Sequence, residues 1–513
     1  MANSHSLSGL PGLPLDILVD SILPGLSTSS LNALAQTSHD FHRLVDGPDG
    51  EIVWRRKAEQ DFHFPVNNTG RRTGWRELYQ RLLKQSAQNS NGRLGISPDD
   101  TQSRRHLIQG GLPLPKRLPL SFTLVGLEAG GFSFHALTSK GSIISWGTMD
   151  GENWTRGGAL SHVGVCAHEP FELPATRDGK MGEVVQLEAG RKHVVTRNTK
   201  GEVWEYRSFG RAHRVVDTNN AWGPTSSDPV VAVEAGWHHS VVLSAAGSVF
   251  VWWEQGSAPQ SRLAAEAGES SLSDVSTQGV TFNLPIETTR LPSLPIPRHK
   301  GTISQVPPSD KITSIASGLD FVIALTSSAK LYYLNISPVD IPNQPLTRHA
   351  GDDADDSPDR GRASIARLEA AFVSGERKWE LMSNFCEMEK VAVLPVWEME
   401  GRVKPKLETR ITAVSAHFHS FVAYSVPTSR DSGDSIVLMG DDTWTPESVP
   451  STIPELQGKD VIKVVQGDYH YIALTASGHL YSWGAYSAGA LGLGHPQLSN
   501  TPLSAPHPPS APF

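Results

Sequence analysis

The sequence predicts a mainly β chain, a β-propeller of about seven blades with six repeats detectable, behind a small all-α domain. Three observations predict it. Alternating aliphatic segments recur around a Gly-x-x-His/aliphatic motif, six times in degenerate form. A turn glycine follows eleven residues after the motif glycine, at Gly141, Gly201, Gly247 and Gly478, and an aromatic residue ends the next segment. Ahead of these repeats, apolar residues fall instead at helical spacing. Four short strands per unit, repeated radially, is the propeller solution to the problem of exposed sheet edges.

The helical part comes first. Pro14 suits the first position of a helix, where its missing N–H costs nothing. Ile17, Leu18 and Ile22 follow at helical spacing until Pro24-Gly25 ends the run. Thr28-Ser29-Ser30 offers capping hydroxyls to a second helix with Leu31, Leu34 and Ala35. Ser38 introduces a third with Phe41, Leu44 and Val45, and Glu51 starts a fourth with Ile52, Val53 and Trp54. A domain this short buries little surface alone and is marginal unless it docks on something.

The order Leu13-Pro14, Ile17-Leu18, Leu31, Leu34, Ser38-x-x-Phe41 and Trp54 resembles the F-box family over residues 10–57. Asp16 stands where glutamate is common there, and both suit a helix N-terminus. The resemblance implies docking on a Skp-type adaptor, and through it a cullin, by Leu13, Pro14, Leu15, Ile17, Leu18, Ile22, Leu26, Leu31, Leu34, Phe41 and Trp54. Residues 58–90 read as a helical connector, with Trp75, Leu78, Tyr79, Leu82 and Leu83 spaced for one face.

Residues 91–513 read as the propeller. The clearest motif copies are Gly190-Arg191-Lys192-His193, Gly236-Trp237-His238-His239 and Gly467-Asp468-Tyr469-His470. Weaker copies start at Gly130, with Ser133 for the histidine, and at Gly318, with Phe321. A sixth is Ala416-His417-Phe418-His419, with alanine at the glycine position. Glycine fixed between strands suits a positive-φ turn or a close backbone approach. Period-2 alternation on both sides suits half-buried antiparallel strands.

These copies resemble the regulator of chromosome condensation repeat. Its tail is complete once, Trp483-Gly484-Ala485-Tyr486-Ser487-Ala488-Gly489-Ala490-Leu491-Gly492-Leu493-Gly494. Gly92-Arg93-Leu94-Gly95 looks like the same tail without tryptophan, so N-terminal strands would complete a blade begun at the C-terminus. The family normally has seven blades; either one blade has diverged beyond detection or the ring is incomplete.

Uneven spacing places insertions near 256–310 and 335–405. Gly190 to Gly236 is 46 residues, whereas Gly236 to Gly318 is 82 and Gly318 to Ala416 is 98. The first, rich in Ser, Pro and Ala, reads as extended or disordered. The second carries an acidic run at 351–356 and then a helical pattern, Ile365, Leu368 and Phe372, read as packing on the propeller rim.

Lys plus Arg total 45 against 53 Asp plus Glu, which argues against nucleic acid as a partner of the whole molecule. Two cysteines, Cys166 and Cys386, form no paired motif, so a reducing cytoplasmic or nuclear setting is expected. No run nears the roughly 18 apolar residues of a membrane span, and no signal peptide is read. No phosphate-binding loop, zinc-protease or nucleophile-elbow motif occurs, so no cofactor and no catalytic activity are expected. His193, His239, His419 and His470 read as equivalent hydrogen-bonded structural histidines rather than metal ligands, since Ser133 and Phe321 replace them elsewhere. Arg191, Lys192, Arg207, Arg211 and Arg214 read as a solvated basic face.

Together the two resemblances imply a substrate-recognition subunit of a Skp–cullin–F-box ubiquitin ligase, a non-catalytic adaptor whose propeller recruits a protein target. The alternative is a guanine-nucleotide exchange factor for a small GTPase, which leaves the helical part unexplained.

Overall fold

The computed structural model describes residues 18–26, 28–47, 50–62, 75, 76, 79, 95, 118, 120–149, 166–209, 211–253, 280–294, 310–337, 358–398, 404–427, 435–441, 444–467 and 470–484. It opens on a π-helical turn, Leu18–Ile22, and three helices, α1 (Thr28–Ala35), α2 (His39–Asp46) and α3 (Gly50–Phe62). Six sheets follow, antiparallel but for one added strand, the blades of a β-propeller, one for each detectable repeat. Among the described residues there is no seventh sheet, so the expectation of about seven blades is met by six.

Blade 1 is β1 (Leu124–Ala129), β2 (Ser133–Thr138), β3 (Ile143–Thr148) and β4 (Cys166–Glu172). A short helix, α4 (Pro174–Arg177), leads to blade 2: β5 (Val184–Ala189), β6 (Val194–Asn198), β7 (Val203–Ser208) and β8 (Arg211–Asp217). Blade 3 is β9 (Val230–Ala235), β10 (His239–Ser244), β11 (Val249–Trp253) and, after β12 (Val280–Ile286), the short β13 (Thr289–Arg290). Blade 4 is β14 (Ile312–Ser317), β15 (Phe321–Thr326), β16 (Leu331–Asn335) and β17 (Glu380–Leu381). Blade 5 is β18 (Ala413–His417), β19 (Ser420–Tyr424), β20 (Val437–Gly440) and β21 (Ser451–Thr452). Blade 6 is β22 (Val461–Gln466), β23 (His470–Thr475) and β24 (Leu480–Gly484).

The first strand of a blade repeats one irregularity. In β1, β5, β14 and β22 the pairing skips a residue near the start, as at Val184/Gln186 and Val461/Lys463. Such a bulge resets the period-2 pattern, so Val184 and Leu187, or Val461 and Val464, are buried together although three apart. The second strands depart from the expected half-burial. β10, β15 and β19 are buried along their whole length. Each lies in a sheet with a neighbouring sheet on either face, so both faces of the pleat are apolar.

Successive blades bury shared apolar cores. Leu137, Ile143, Val194 and Tyr206 join blades 1 and 2; Val195, Val233, Trp222 and Trp252 join blades 2 and 3. Val241, Val251, Ile315 and Val322 join 3 and 4, Phe321, Ile323, Phe421 and Leu438 join 4 and 5, and Val422, Val437, Val464 and Trp483 join 5 and 6. No comparable cluster joins blades 6 and 1 among the described residues. Leu118 and Leu120 instead pack on Trp146 and Phe134 of blade 1, and Gly95 lies against the Trp146 ring.

The first insertion differs from the expected extended or disordered segment. Its residues 280–286 form β12, which pairs in parallel with β8 and gives blade 2 a fifth strand, before β13 returns to β11. The chain thereby stitches blades 2 and 3 together at the rim. Leu284 and Ile286 enter the core shared by those blades, and Pro285 sits where an outer strand tolerates the missing N–H. In the second insertion, helix α5 (Pro358–Ser374) buries Leu368, with Ile365 and Phe372 half-buried, on the core of blades 3 and 4. Thr289 donates to Glu369 at 2.8 Å and Trp379 Nε1 donates to the Pro292 carbonyl at 2.7 Å, so the two insertions meet. The acidic run at 351–356 lies outside the described residues. No helix among the described residues is long and apolar enough to cross a membrane.

Candidate functional site

The helical module is built around Trp54 of α3. Its indole N–H donates to the Val45 carbonyl at 2.8 Å, and its ring meets Tyr79 at 5.3 Å. Leu18, Val19, Leu23, Leu31, Leu44, Val45, Val53, Trp75 and Tyr79 close the same core. Ser38 caps α2 as its sequence position requires, accepting from the Phe41 N–H at 3.2 Å. Lys57 is buried with its ammonium donating to the Pro24 carbonyl at 3.2 Å and lying over the Tyr79 ring.

This core divides the residues assigned to adaptor docking. Leu18, Leu31 and Trp54 are fully buried inside the module. Leu26, Leu34 and Phe41 are half-buried on its surface, and Ile22 is exposed. Ile52, which the motif did not single out, is 52% exposed. Leu13, Pro14, Leu15 and Ile17 lie outside the described residues. From the connector, Trp75 and Tyr79 join the module's core, whereas Leu78, Leu82 and Leu83 lie outside the described residues.

On the propeller, the six motifs are the hairpin loops between first and second strands. Those of blades 1 to 5 are chained by backbone bonds on one face. Gly131 N donates to Arg191 O at 3.1 Å, Arg191 N to Trp237 O at 3.2 Å, Trp237 N to Gly318 O at 3.0 Å, and Leu319 N to Phe418 O at 2.6 Å. The motif glycine exists for close approach rather than for a positive φ. A Cβ on Gly236 would lie 2.1 Å from the His239 ring and 2.7 Å from the Gly318 carbonyl. The turn glycines take the other role, with φ of 75° at Gly141, 74° at Gly201, 87° at Gly247 and 84° at Gly478.

Blade 5 corrects the expected alignment. His417 pairs with Ser420 as Gly236 N–H bonds the His239 carbonyl, so His417, not Ala416, fills the glycine position. His419 then sits in the loop, and Ser420 takes the place of His193, His239 and His470. The competing signals were Ile411 and Val414, spaced like Val230 and Val233, and buried Ser425, which matches Ser244. Gly440 stands where blade 6 has Trp483, and the Phe421 ring fills that space.

One motif histidine binds a neighbouring blade. His239 Nε2 and Ser317 Oγ are 2.6 Å apart, joining blades 3 and 4. Burial, then the charges of His193 and His238, lowers the His239 pKa to about 3. A second buried imidazole, His135, hydrogen-bonds Ser133 at 2.8 Å, Ser145 at 3.0 Å and the Tyr206 hydroxyl at 2.9 Å; burial lowers its pKa to about 3. Among the described residues no cluster of three His, Cys, Asp or Glu side chains has metal-holding geometry. The basic stretch around repeat 2 is partly paired. Arg207 reaches buried Glu205 at 2.7 Å, Arg214 reaches Glu202 at 3.0 Å, and Arg191 lies over the Trp237 ring at 5.3 Å.

The first strands line an axial cavity of about 170 Å³. Glu128, Glu188 and Glu234 occupy the same position on blades 1, 2 and 3, opposite His417 and Lys463. Burial raises all three carboxyls above the usual carboxylate range; mutual repulsion adds to this at Glu188, pushed up to about 8, and at Glu234. Lys463 opposes the shift, sitting 3.6 Å from Glu128, and Gln186 donates to Glu188 at 3.2 Å. The arrangement holds protons and one ammonium among its own groups. Sequence spacing could have aligned these glutamates, because each stands two residues before its motif glycine.

With this geometry in place, comparison with known proteins is specific at one repeat. The regulator of chromosome condensation (RCC1) repeat profile matches residues 461–487, which contain the strands of blade 6. The chain is similar to SCF-associated factor 1 of Saccharomyces cerevisiae, 60% identical over 38 residues, 7% of this chain and 6% of that protein. It is 24% identical over 204 residues to RCC1 domain-containing protein RUG3, mitochondrial, of Arabidopsis thaliana, covering 38% of this chain and 41% of that one. The chain thus spans less than half the length of these curated relatives. Among solved structures, Prp20p from Saccharomyces cerevisiae matches with a TM-score of 0.45 at 17% identity, over 80% of this chain and 82% of that chain. The chain carries RCC1-type repeats, folded as a β-propeller behind a helical module.

Proposed function

We propose that this chain is the substrate-recognition subunit of a Skp–cullin–F-box ubiquitin ligase. The helical module docks on a Skp-type adaptor, and the propeller holds a target protein for ubiquitination and degradation. The observation that carries this reading is the module itself: a core closed around Trp54, with Ile22 and Ile52 exposed and Leu26, Leu34 and Phe41 half-buried on its surface. A domain this small with apolar groups left outside its own core is built to dock. The short, 60% identical match to a protein named as SCF-associated supports the same reading.

The mechanism is proximity. A receptor that holds its target beside a charged conjugating enzyme raises the effective concentration of the reacting lysine and performs no bond chemistry itself. Docking proceeds through Leu13, Pro14, Leu15, Ile17, Ile22, Leu26, Leu34 and Phe41, while Leu18, Leu31 and Trp54 hold the module in shape. A cytoplasmic or nuclear location follows from this role. Nucleotide exchange on a small GTPase would use the propeller and leave the helical module without a task. Co-purification with a Skp-type adaptor tests the reading; stimulation of nucleotide release without adaptor binding would replace it.

A further inference from the structure

We propose that Phe418 is the wedge that fixes the helical module on the motif face of the propeller. Four partly buried apolar residues pack against the module's core. Leu26, Leu34 and Phe41 belong to the module; the fourth, Phe418, comes from the loop between β18 and β19 of blade 5.

The backbone at Phe418 is unlike that of the matching loops. Its φ is 50°, left-handed, a conformation unfavourable for a bulky residue. Arg191, Trp237 and Leu319, at matching places in the loops of blades 2, 3 and 4, do not share it. A strained residue persists where its surroundings over-determine it. Here the Phe418 carbonyl accepts the Leu319 N–H from blade 4, and its ring lies 4.5 Å from Trp237 and 4.0 Å from His419. Trp237 in turn carries the Arg191 guanidinium on its face. The wedge is thus braced through blades 2, 3 and 4 and presses on the helical core from outside.

This coupling rests on packing and not on the ligase reading. It makes the motif face an internal interface and fixes the angle between the two modules. A target protein would then be held by the rim or the opposite face.

The test is hydrogen exchange on the full chain, comparing wild type with Phe418→Gly and Phe418→Ala. Glycine accepts φ 50° freely, so Phe418→Gly removes the ring and relieves the loop; alanine removes the ring and keeps the strain. In both variants, exchange across 28–62 should rise about tenfold, as for a small domain that loses its support, while β10, β15 and β19 keep their protection. Unchanged exchange across 28–62 in both variants overturns the proposal. Loss of protection throughout the propeller in both also overturns it, because the ring would then belong to the propeller's own core.

Discussion

Lys463, on the first strand of blade 6, lies 3.6 Å from the carboxylate of Glu128, on the first strand of blade 1. Elsewhere round the ring, adjacent blades share an apolar core. At this junction no such core exists among the described residues, and Ile472, Leu480 and Leu127 are 38%, 55% and 44% exposed. The ion pair joins blades 6 and 1 at this junction. It also supplies the cation facing three glutamates, so the charge state of the axial cavity depends on a group that bridges blades 6 and 1.

The pH dependence of stability follows. An acid whose pKa is raised on folding binds more protons folded than unfolded. Its cost is absent below the unfolded value of 4.5 and complete once pH has climbed through the folded one, about 8 for Glu188. Glu188→Gln should therefore be neutral at pH 5 and raise Tm at pH 8.5 by roughly 1 °C, about 1 kcal/mol. Lys463→Met should lower Tm, and more at pH 8.5 than at pH 5. Thermal unfolding followed between pH 5 and 9 checks both signs.

Glu205 carries the opposite sign. Burial alone would raise its pKa; the charges of Arg207 and His193 and hydrogen bonds from Trp252 and Arg207 outweigh this and hold it at about 2. The Trp252 indole donates at 2.8 Å and Ser240 at 3.2 Å, both from blade 3. Its stabilisation is complete above pH 4.5 and disappears as pH falls through about 2. Glu205→Gln leaves Arg207 facing a neutral buried group and should cost about 3 kcal/mol at pH 7 in denaturant unfolding. The loss should shrink in acid.

The two glycine classes should separate by substitution. Gly236→Ala puts a methyl 2.1 Å from the His239 ring and should cost about 2–3 kcal/mol. Gly201→Ala meets nothing within 4 Å and bears only its φ of 74°, for about 1 kcal/mol. Urea unfolding of both variants reads the difference; equal costs would contradict the close-approach account of the motif.

Much of this was legible in the sequence. The six motif copies became six sheets because the chemistry that marks them is local: a glycine under a ring, a turn glycine with positive φ, an aromatic at a strand end. Ser38 could be read as a cap for the same reason. What was not legible depends on partners distant in the chain. β12 alternates Val280, Phe282, Leu284 and Ile286, yet its surroundings, rich in Ser, Pro and Ala, read as extended or disordered, and only pairing with β8 makes it a strand. His419 passed for a motif histidine because spacing cannot reveal a one-residue register change, which burial of Ser425 and the glycine at 440 decide. The glutamates of the axial cavity were not singled out, because Glu128 and Glu234 stand 106 positions apart in the chain. Of the residues assigned to docking, Leu31 and Trp54 are buried in the module, a placement the family pattern does not record.

The most direct measurement is co-purification of the full chain with a Skp-type adaptor, comparing wild type with a Leu13→Ala/Pro14→Ala double variant. The account predicts a stoichiometric complex for the wild type and its loss in the variant, with the circular dichroism of the propeller unchanged. A wild-type chain that is folded and does not bind the adaptor would contradict it.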